Sequence, residues 1–112
     1  MYRSKLEQDV ASRLGKGWEY EKVQVDYILE KTYLGDFARG TTIVEVKGFF
    51  RPGDQAKYLA VRDSCLEEGY TFVFILSHPD KPVRRKAKLT MSEWCDKHNI
   101  PWFRVEDANK IK

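Results

Sequence analysis

The chain has 112 residues, 42% apolar and 33% charged, with a formal net charge of +3 at neutral pH. That length supports one domain with its own core and not two, and no stretch comes near the ~18 apolar residues a membrane-spanning helix needs. Cys65 and Cys95 form no CxxC pair and have no metal-ligand spacing to His78 or His98, so no zinc site is expected, and the thiols read as reduced cysteines of a cytoplasmic protein.

In chain order, the amino-terminal MYRSKLEQDV lacks the apolar stretch of a secretory signal. Ser4 to Leu14 is predicted as a helix closed by Gly15 and Gly17. At about 100° per residue, Leu6, Val10 and Leu14 form an apolar stripe, with Glu7 at its margin beside Leu14. Ser4-x-x-Glu7 also fits a capping box, so the helix alone leaves open whether Glu7 is a cap or an acid turned toward the core.

Trp18 to Ile28 alternates as a strand, Leu29 to Tyr33 reads as a polar connection, and a second strand covers Tyr33 to Ala38. Arg39-Gly40 turns it into a third strand within TTIVEVKGFF, Thr41 to Phe50, so the two form a hairpin. Asp54, at the end of the loop RPGD, is placed to cap a helix that runs to about Glu68 and stops at Gly69. Ala56, Leu59, Ala60 and Leu66 are its expected inner face. Thr71 to Leu76, TFVFIL, reads as a strand buried on both sides. Between Lys81 and Lys88 the run KPVRRKAK carries five cations and no acid. It is either a solvated loop or a phosphate-contacting one. A short helix from Thr90 and a last strand, Trp102 to Val105, complete the order α-β-β-β-α-β-α-β. The expectation is a single α/β domain, residues 1–112, with a mixed sheet flanked by helices.

The strand TTIVEVKGFF contains the chemistry. Side chains alternate along a strand, so Glu45 and Lys47 share one side, about 7 Å apart, while Thr42, Val44 and Val46 take the other. The hairpin brings Asp36, with eight residues between it and Glu45, next to the Glu45 end of its partner. Two carboxylates then converge with an ammonium one step further on. Mg²⁺ takes oxygen ligands, usually one or two carboxylates with phosphate and water, and a lysine beside it can stabilise developing negative charge. An exposed Glu45–Lys47 ion pair would need no function and contribute only ~0–1 kcal/mol. The intervening apolar residues and the nearby Asp36 favour a site.

The spacing of Asp36, Glu45 and Lys47 resembles the motif of the PD-(D/E)xK nuclease superfamily. RSKLEQDV, WEYEKVQVDY, GDF, VEVKGFF, KYLAVRDS and SEWCDKHNI resemble, in that order, the phage-type endonuclease I family, over roughly Arg3 to Trp102. The resemblance implies a restriction-endonuclease-like fold and a metal-dependent enzyme that resolves four-way (Holliday) DNA junctions, leaving 5′-phosphate and 3′-hydroxyl ends. It implies that Glu7, Asp36, Glu45 and the Val46 carbonyl hold two Mg²⁺, for which Mn²⁺ substitutes, and that Lys47 assists the attacking water. It also implies an intertwined homodimer that exchanges the first helix and strand, with Leu29 to Leu34 crossing over, acting in the host cytoplasm of a bacteriophage. Two departures stand out: Gly35 replaces the family proline, loosening the backbone before Asp36, and the crossing segment is shorter.

Arg3, Lys5, Arg51, Lys57, Arg84, Arg85 and Lys86 are the candidate DNA contacts. Trp18, Trp94, Trp102 and the phenylalanines are expected in the core rather than as base-stacking platforms. A nickase for other branched or mismatched DNA, or a silent junction-binding module, are the alternatives.

Overall fold

The computed structural model describes residues 4–21, 24–27 and 31–111, with 24–27 and 31–34 as backbone only. The elements are α1 (Lys5–Leu14), β1 (Glu19–Tyr20), β2 (Gln24–Tyr27), β3 (Lys31–Leu34), β4 (Phe37–Arg39), β5 (Thr42–Lys47), α2 (Asp54–Glu67), β6 (Thr71–Leu76), α3 (Met91–Lys97), β7 (Trp102–Arg104) and a 3₁₀ helix (Val105–Lys110). Five strands form a mixed sheet in the order β1-β4-β5-β6-β7. The β4–β5 hairpin forms as expected, pairing Phe37 with Val44. β5, β6 and β7 are parallel, because α2 and α3 carry the chain back across the sheet between them.

The two faces of the sheet bury different side chains. Ile43, Phe72, Phe74 and Leu76 pack with Tyr58, Val61 and Cys65 of α2 and with Trp94 and Cys95 of α3. On the other face Val44, Val46, Val73 and Ile75 pack with Val10 and Leu14 of α1. β6 lies between both layers and is buried from Phe72 to Leu76, as its apolar sequence requires. Burial pushes the Cys65 thiol up to about 11 and the Cys95 thiol to about 12, so both stay protonated core residues. No helix among the described residues is long and apolar enough to cross a membrane.

Five expectations need correction. The strand expected over Trp18 to Ile28 breaks after Tyr20, where Glu21 takes a left-handed φ of 51°, which no extended strand accommodates. Only β1 joins the main sheet; β2 pairs antiparallel with β3 in a separate ribbon, so Lys31 to Tyr33 are strand rather than connection. The strand expected over Tyr33 to Ala38 is likewise divided at Gly35-Asp36. α2 is rotated from its expected phase: Tyr58, Val61, Ser64 and Cys65 face inward, Ala56 is exposed, Leu59 and Ala60 are partly buried, and Leu66 is 67% exposed. Asp54 does not cap that helix. Gly53, at a φ of 90°, holds the cap position with no side-chain bond. Of the expected crossing segment, residues 29 and 30 lie outside the described residues.

Candidate active site

β4 begins at Phe37, opposite Val44, so along the edge of β5 beside Val46 the Asp36 side chain takes the place a strand would have held. Its Oδ2 accepts a hydrogen bond from the Val46 N–H at 2.8 Å. Its own carbonyl accepts from the Glu21 N–H at 3.1 Å. These two bonds and burial to 5% exposure fix Asp36 although a glycine, Gly35, precedes it. In a strand, the N–H and C=O of one residue face the same neighbour, so the Val46 carbonyl is directed to this edge too.

Glu45 and Lys47 lie on the face toward α2. Glu45 is 8% exposed, and the Tyr58 hydroxyl donates to its Oε2 at 3.1 Å. Lys47 is half-buried, with Nζ 3.4 Å from Asp54 Oδ2 and 5.1 Å from the centre of the Tyr58 ring. Asp54 Oδ2 also accepts from the Arg51 N–H at 2.9 Å, so that carboxylate folds back over its own loop to meet the lysine. The pair is therefore not an exposed Glu45–Lys47 couple on a wet sheet face.

Glu7 arrives from α1, on the opposite face. Ser4 accepts from the Glu7 N–H at 3.1 Å, so the cap is real, yet the Glu7 carboxylate is turned inward. Its Oε1 accepts from the Tyr20 hydroxyl at 2.8 Å, and the carboxyl hydrogen-bonds with Asp36. Acids from both faces thus meet around the end of the sheet where β4 stops. Lys47 stands one step beyond.

The electrostatics follow from that crowding. Burial, then the charge of Glu45, then that of Glu7 and its hydrogen bond, push the Asp36 carboxyl up to about 8, against the Val46 N–H, which favours the ionised form. Burial and Glu45 raise the Tyr58 phenol well above its usual range, so it stays a hydrogen-bond donor. Three carboxyls gathered together, Asp36 and Glu45 buried and Glu7 partly so, are an unfavourable set by themselves. Their all-oxygen chemistry suits a hard divalent cation such as Mg²⁺, which would take the place of the Asp36 proton. As the side chains stand, no group of three or more His, Cys, Asp or Glu among the described residues is placed to hold a metal ion. Val46, Tyr58 and Tyr20 each engage one acid.

The basic candidates are scattered by comparison. Arg51, Arg84 and Arg85 are exposed and line one groove of about 530 Å³ with Phe50 and Val83. Lys57 is half-buried, 5.1 Å from the Tyr58 ring centre. Lys86 and Lys5 are exposed and outside that groove. Arg3 lies outside the described residues. Of the aromatic residues expected in the core, Phe49 is the exception, 62% exposed.

Sequence reasoning missed Asp54, Tyr58 and Tyr20. The turn RPGD could have returned Asp54 to the strand end, and Tyr58, four residues on, shares its helix face. Tyr20 had no periodic signal, because its position depends on the break at Glu21. A family model described as phage endonuclease I matches residues 1–106. Among curated proteins, none matches the chain.

Proposed function

The chain belongs to the phage endonuclease I family, and from that premise we propose that it is a Mg²⁺-dependent, PD-(D/E)xK-type endonuclease resolving four-way DNA junctions. The observation that carries this reading is the meeting of Glu7, Asp36 and Glu45 at the end of β5, with Lys47 beside them. Two Mg²⁺ (or Mn²⁺) ions held by these acids and the Val46 carbonyl would supply an activated water and neutralise charge on the phosphate being cut.

The chain's own groups prepare that event. The Val46 N–H and the Tyr58 and Tyr20 hydroxyls hold the three acids in fixed orientations, as the supporting bonds around metal ligands do. Lys47, kept in place by Asp54, offers a positive charge where negative charge builds up on the phosphate oxygens. Burial keeps bulk water away and strengthens each of these interactions. Hydrolysis would leave a 5′-phosphate and a 3′-hydroxyl.

A four-way junction needs cuts in two opposing strands, so the working form is a homodimer. Exchange of α1 between copies would preserve every α1-to-sheet contact, the Glu7–Asp36 meeting included. Recognition rests on shape and phosphates rather than base edges.

The test is a labelled synthetic four-way junction and a matched linear duplex, each incubated with Mg²⁺ or chelator, beside Lys47→Ala. Metal-dependent paired cuts near the branch point, absent in the variant while binding persists, are expected. Binding without cleavage in Mg²⁺ or Mn²⁺ would leave only a junction-binding module. Equal cutting of the duplex would retain the nuclease and remove the junction.

A further inference from the structure

Beside the cleft lies a second feature that the catalytic reading does not use. The groove lined by Arg51, Arg84 and Arg85 continues into a smaller one of about 280 Å³ that adds Lys81 and Phe49. Both share Phe50, Val83, Arg84 and Arg85, so they are two arms of one trough. Its floor is apolar, its rim carries four cations, and no acid lines it. Phe49 stands at its edge with 62% of its surface exposed, although an apolar ring of that size is ordinarily buried. Phe50, the next residue, shows the contrast: it is 8% exposed and packs within the core, stacked on Tyr58 and edge-to-face with Trp94.

We propose that this trough binds an unstacked nucleotide of the DNA strand, its base stacked on the Phe49 ring and its phosphates held by Arg84, Arg85 and Arg51. The proposal deepens the nuclease reading and rests on it for the identity of the strand. Phe49 follows Lys47 by two residues, which span at most about 7 Å. That distance is on the order of one phosphate step along an unstacked strand, whose phosphates lie farther apart than the rise of about 3.4 Å per nucleotide in a stacked one. The stacked base therefore belongs to the nucleotides next to the cut.

The occupant follows from chemistry. A paired duplex hides the faces of its bases in the stack, so an exposed ring over an apolar floor gains nothing from it. An unpaired base offers its face, and a cationic groove with an aromatic platform is the standard way to hold a single strand. The charge of the rim also argues against an acid-free peptide or a second copy of this surface, whose four like charges would face the first. At a branch point bases are readily splayed out of the stack, and a trough that takes one would favour branched DNA over linear DNA.

Fluorescence anisotropy in chelator tests this directly, using a short labelled single strand, the matched duplex, and a junction carrying a fluorescent adenine analogue at the branch. Phe49→Ala should weaken single-strand binding about five- to hundred-fold and abolish the analogue's change in emission, with duplex binding altered less than about threefold. Phe49→Trp should retain both signals, which separates stacking from damage to the fold. Equal weakening on single strand and duplex, or none on either, would overturn the proposal. So would a change in oligomeric state with DNA affinity intact. Cleavage assays keep the two readings apart: an active wild type with an indifferent Phe49→Ala removes only the trough. Phe49-dependent binding by a protein that never cuts removes only the nuclease.

Discussion

The acidic cleft at the end of β5 and the basic trough beside it are neighbours in sequence and opposites in construction. In the cleft Asp36 and Glu45 are 5% and 8% exposed, and each acid has a named donor from a different element. In the trough Arg51, Arg84 and Arg85 stand in solvent. Fixing charged groups where chemistry needs them requires burial, and burial of like charges costs stability. Charges that only hold a polyanion can stay wet, where they cost almost nothing. The difference predicts that changes in the cleft alter rate and stability together, whereas changes in the trough alter affinity alone.

The strongest challenge to that division is Lys47→Ala. Loss of the ammonium should lower single-turnover cleavage of a junction in Mg²⁺ by about 10²–10³-fold, the usual effect of removing one group that stabilises developing charge. Junction affinity in chelator should be unchanged. A large drop in affinity with normal turnover would mean that the cleft, too, is only a binding surface.

Asp36→Asn tests the stability side. The folded protein holds the Asp36 proton up to about pH 8, whereas an unfolded aspartate releases it near its ordinary value of 3.8. Between those values the folded state binds more protons than the unfolded one, so stability falls as pH rises through this window. An amide carries no charge and can still accept from the Val46 N–H. Asp36→Asn should therefore lack cleavage activity yet unfold at higher denaturant at pH 8, by about 1–3 kcal/mol, with little advantage at pH 4. Adding Mg²⁺ should raise the wild-type melting temperature at pH 8 and leave that of the variant nearly unchanged. A variant less stable than wild type at pH 8 would show that the acids are not in mutual conflict.

Tyr58→Phe gives a smaller, two-sided effect. It keeps the ring that packs on Phe50, Phe72 and Phe74 and removes only the hydroxyl that holds Glu45. Stability should fall by about 1 kcal/mol, and cleavage by about tenfold or more, as for other groups that orient metal ligands. The activity loss should shrink at saturating Mg²⁺ if Tyr58 acts by presenting Glu45 to the ion. Unchanged cleavage with the stability loss alone would make the hydroxyl purely structural.

Local pattern carried much of this molecule. The hairpin around Gly40, the buried β6, the short α3 and the shared side of Glu45 and Lys47 follow from alternation and turn chemistry over a few residues, and the structure has them all. What failed depended on distant partners. Glu21 leaves the strand at a left-handed φ of 51° while its N–H bonds to Asp36, a partner no window of neighbouring residues contains. Tyr58 turns inward because a buried Glu45 waits for its hydroxyl, and that rotates α2 away from the phase its leucines and alanines favoured. Asp54 looked like a cap because the helix start was legible and the lysine above it was not. Phe49 was legible as an apolar residue, but its exposure was not, since only the packing of Phe50 beneath shows which of the two rings the core has room for.

The trough supplies the smallest effect and the sharpest contrast. Arg84→Ala removes one exposed cation from a rim that keeps three more. Affinity for any DNA should fall only a few-fold at moderate salt. The slope of log affinity against log salt should become shallower by about 1, because one fewer counterion is released. Single strand, duplex and junction should all lose affinity alike, since a phosphate contact carries no information about base pairing. Melting temperature and the rate of cleavage by the bound enzyme should stay as they were. If Arg84→Ala instead slowed the cut in preformed complexes, the trough would be part of the machinery that positions the scissile phosphate. The separation between a costly, fixed cleft and an inexpensive, wet trough would then fail at the residue where the two come closest to sharing a strand of DNA.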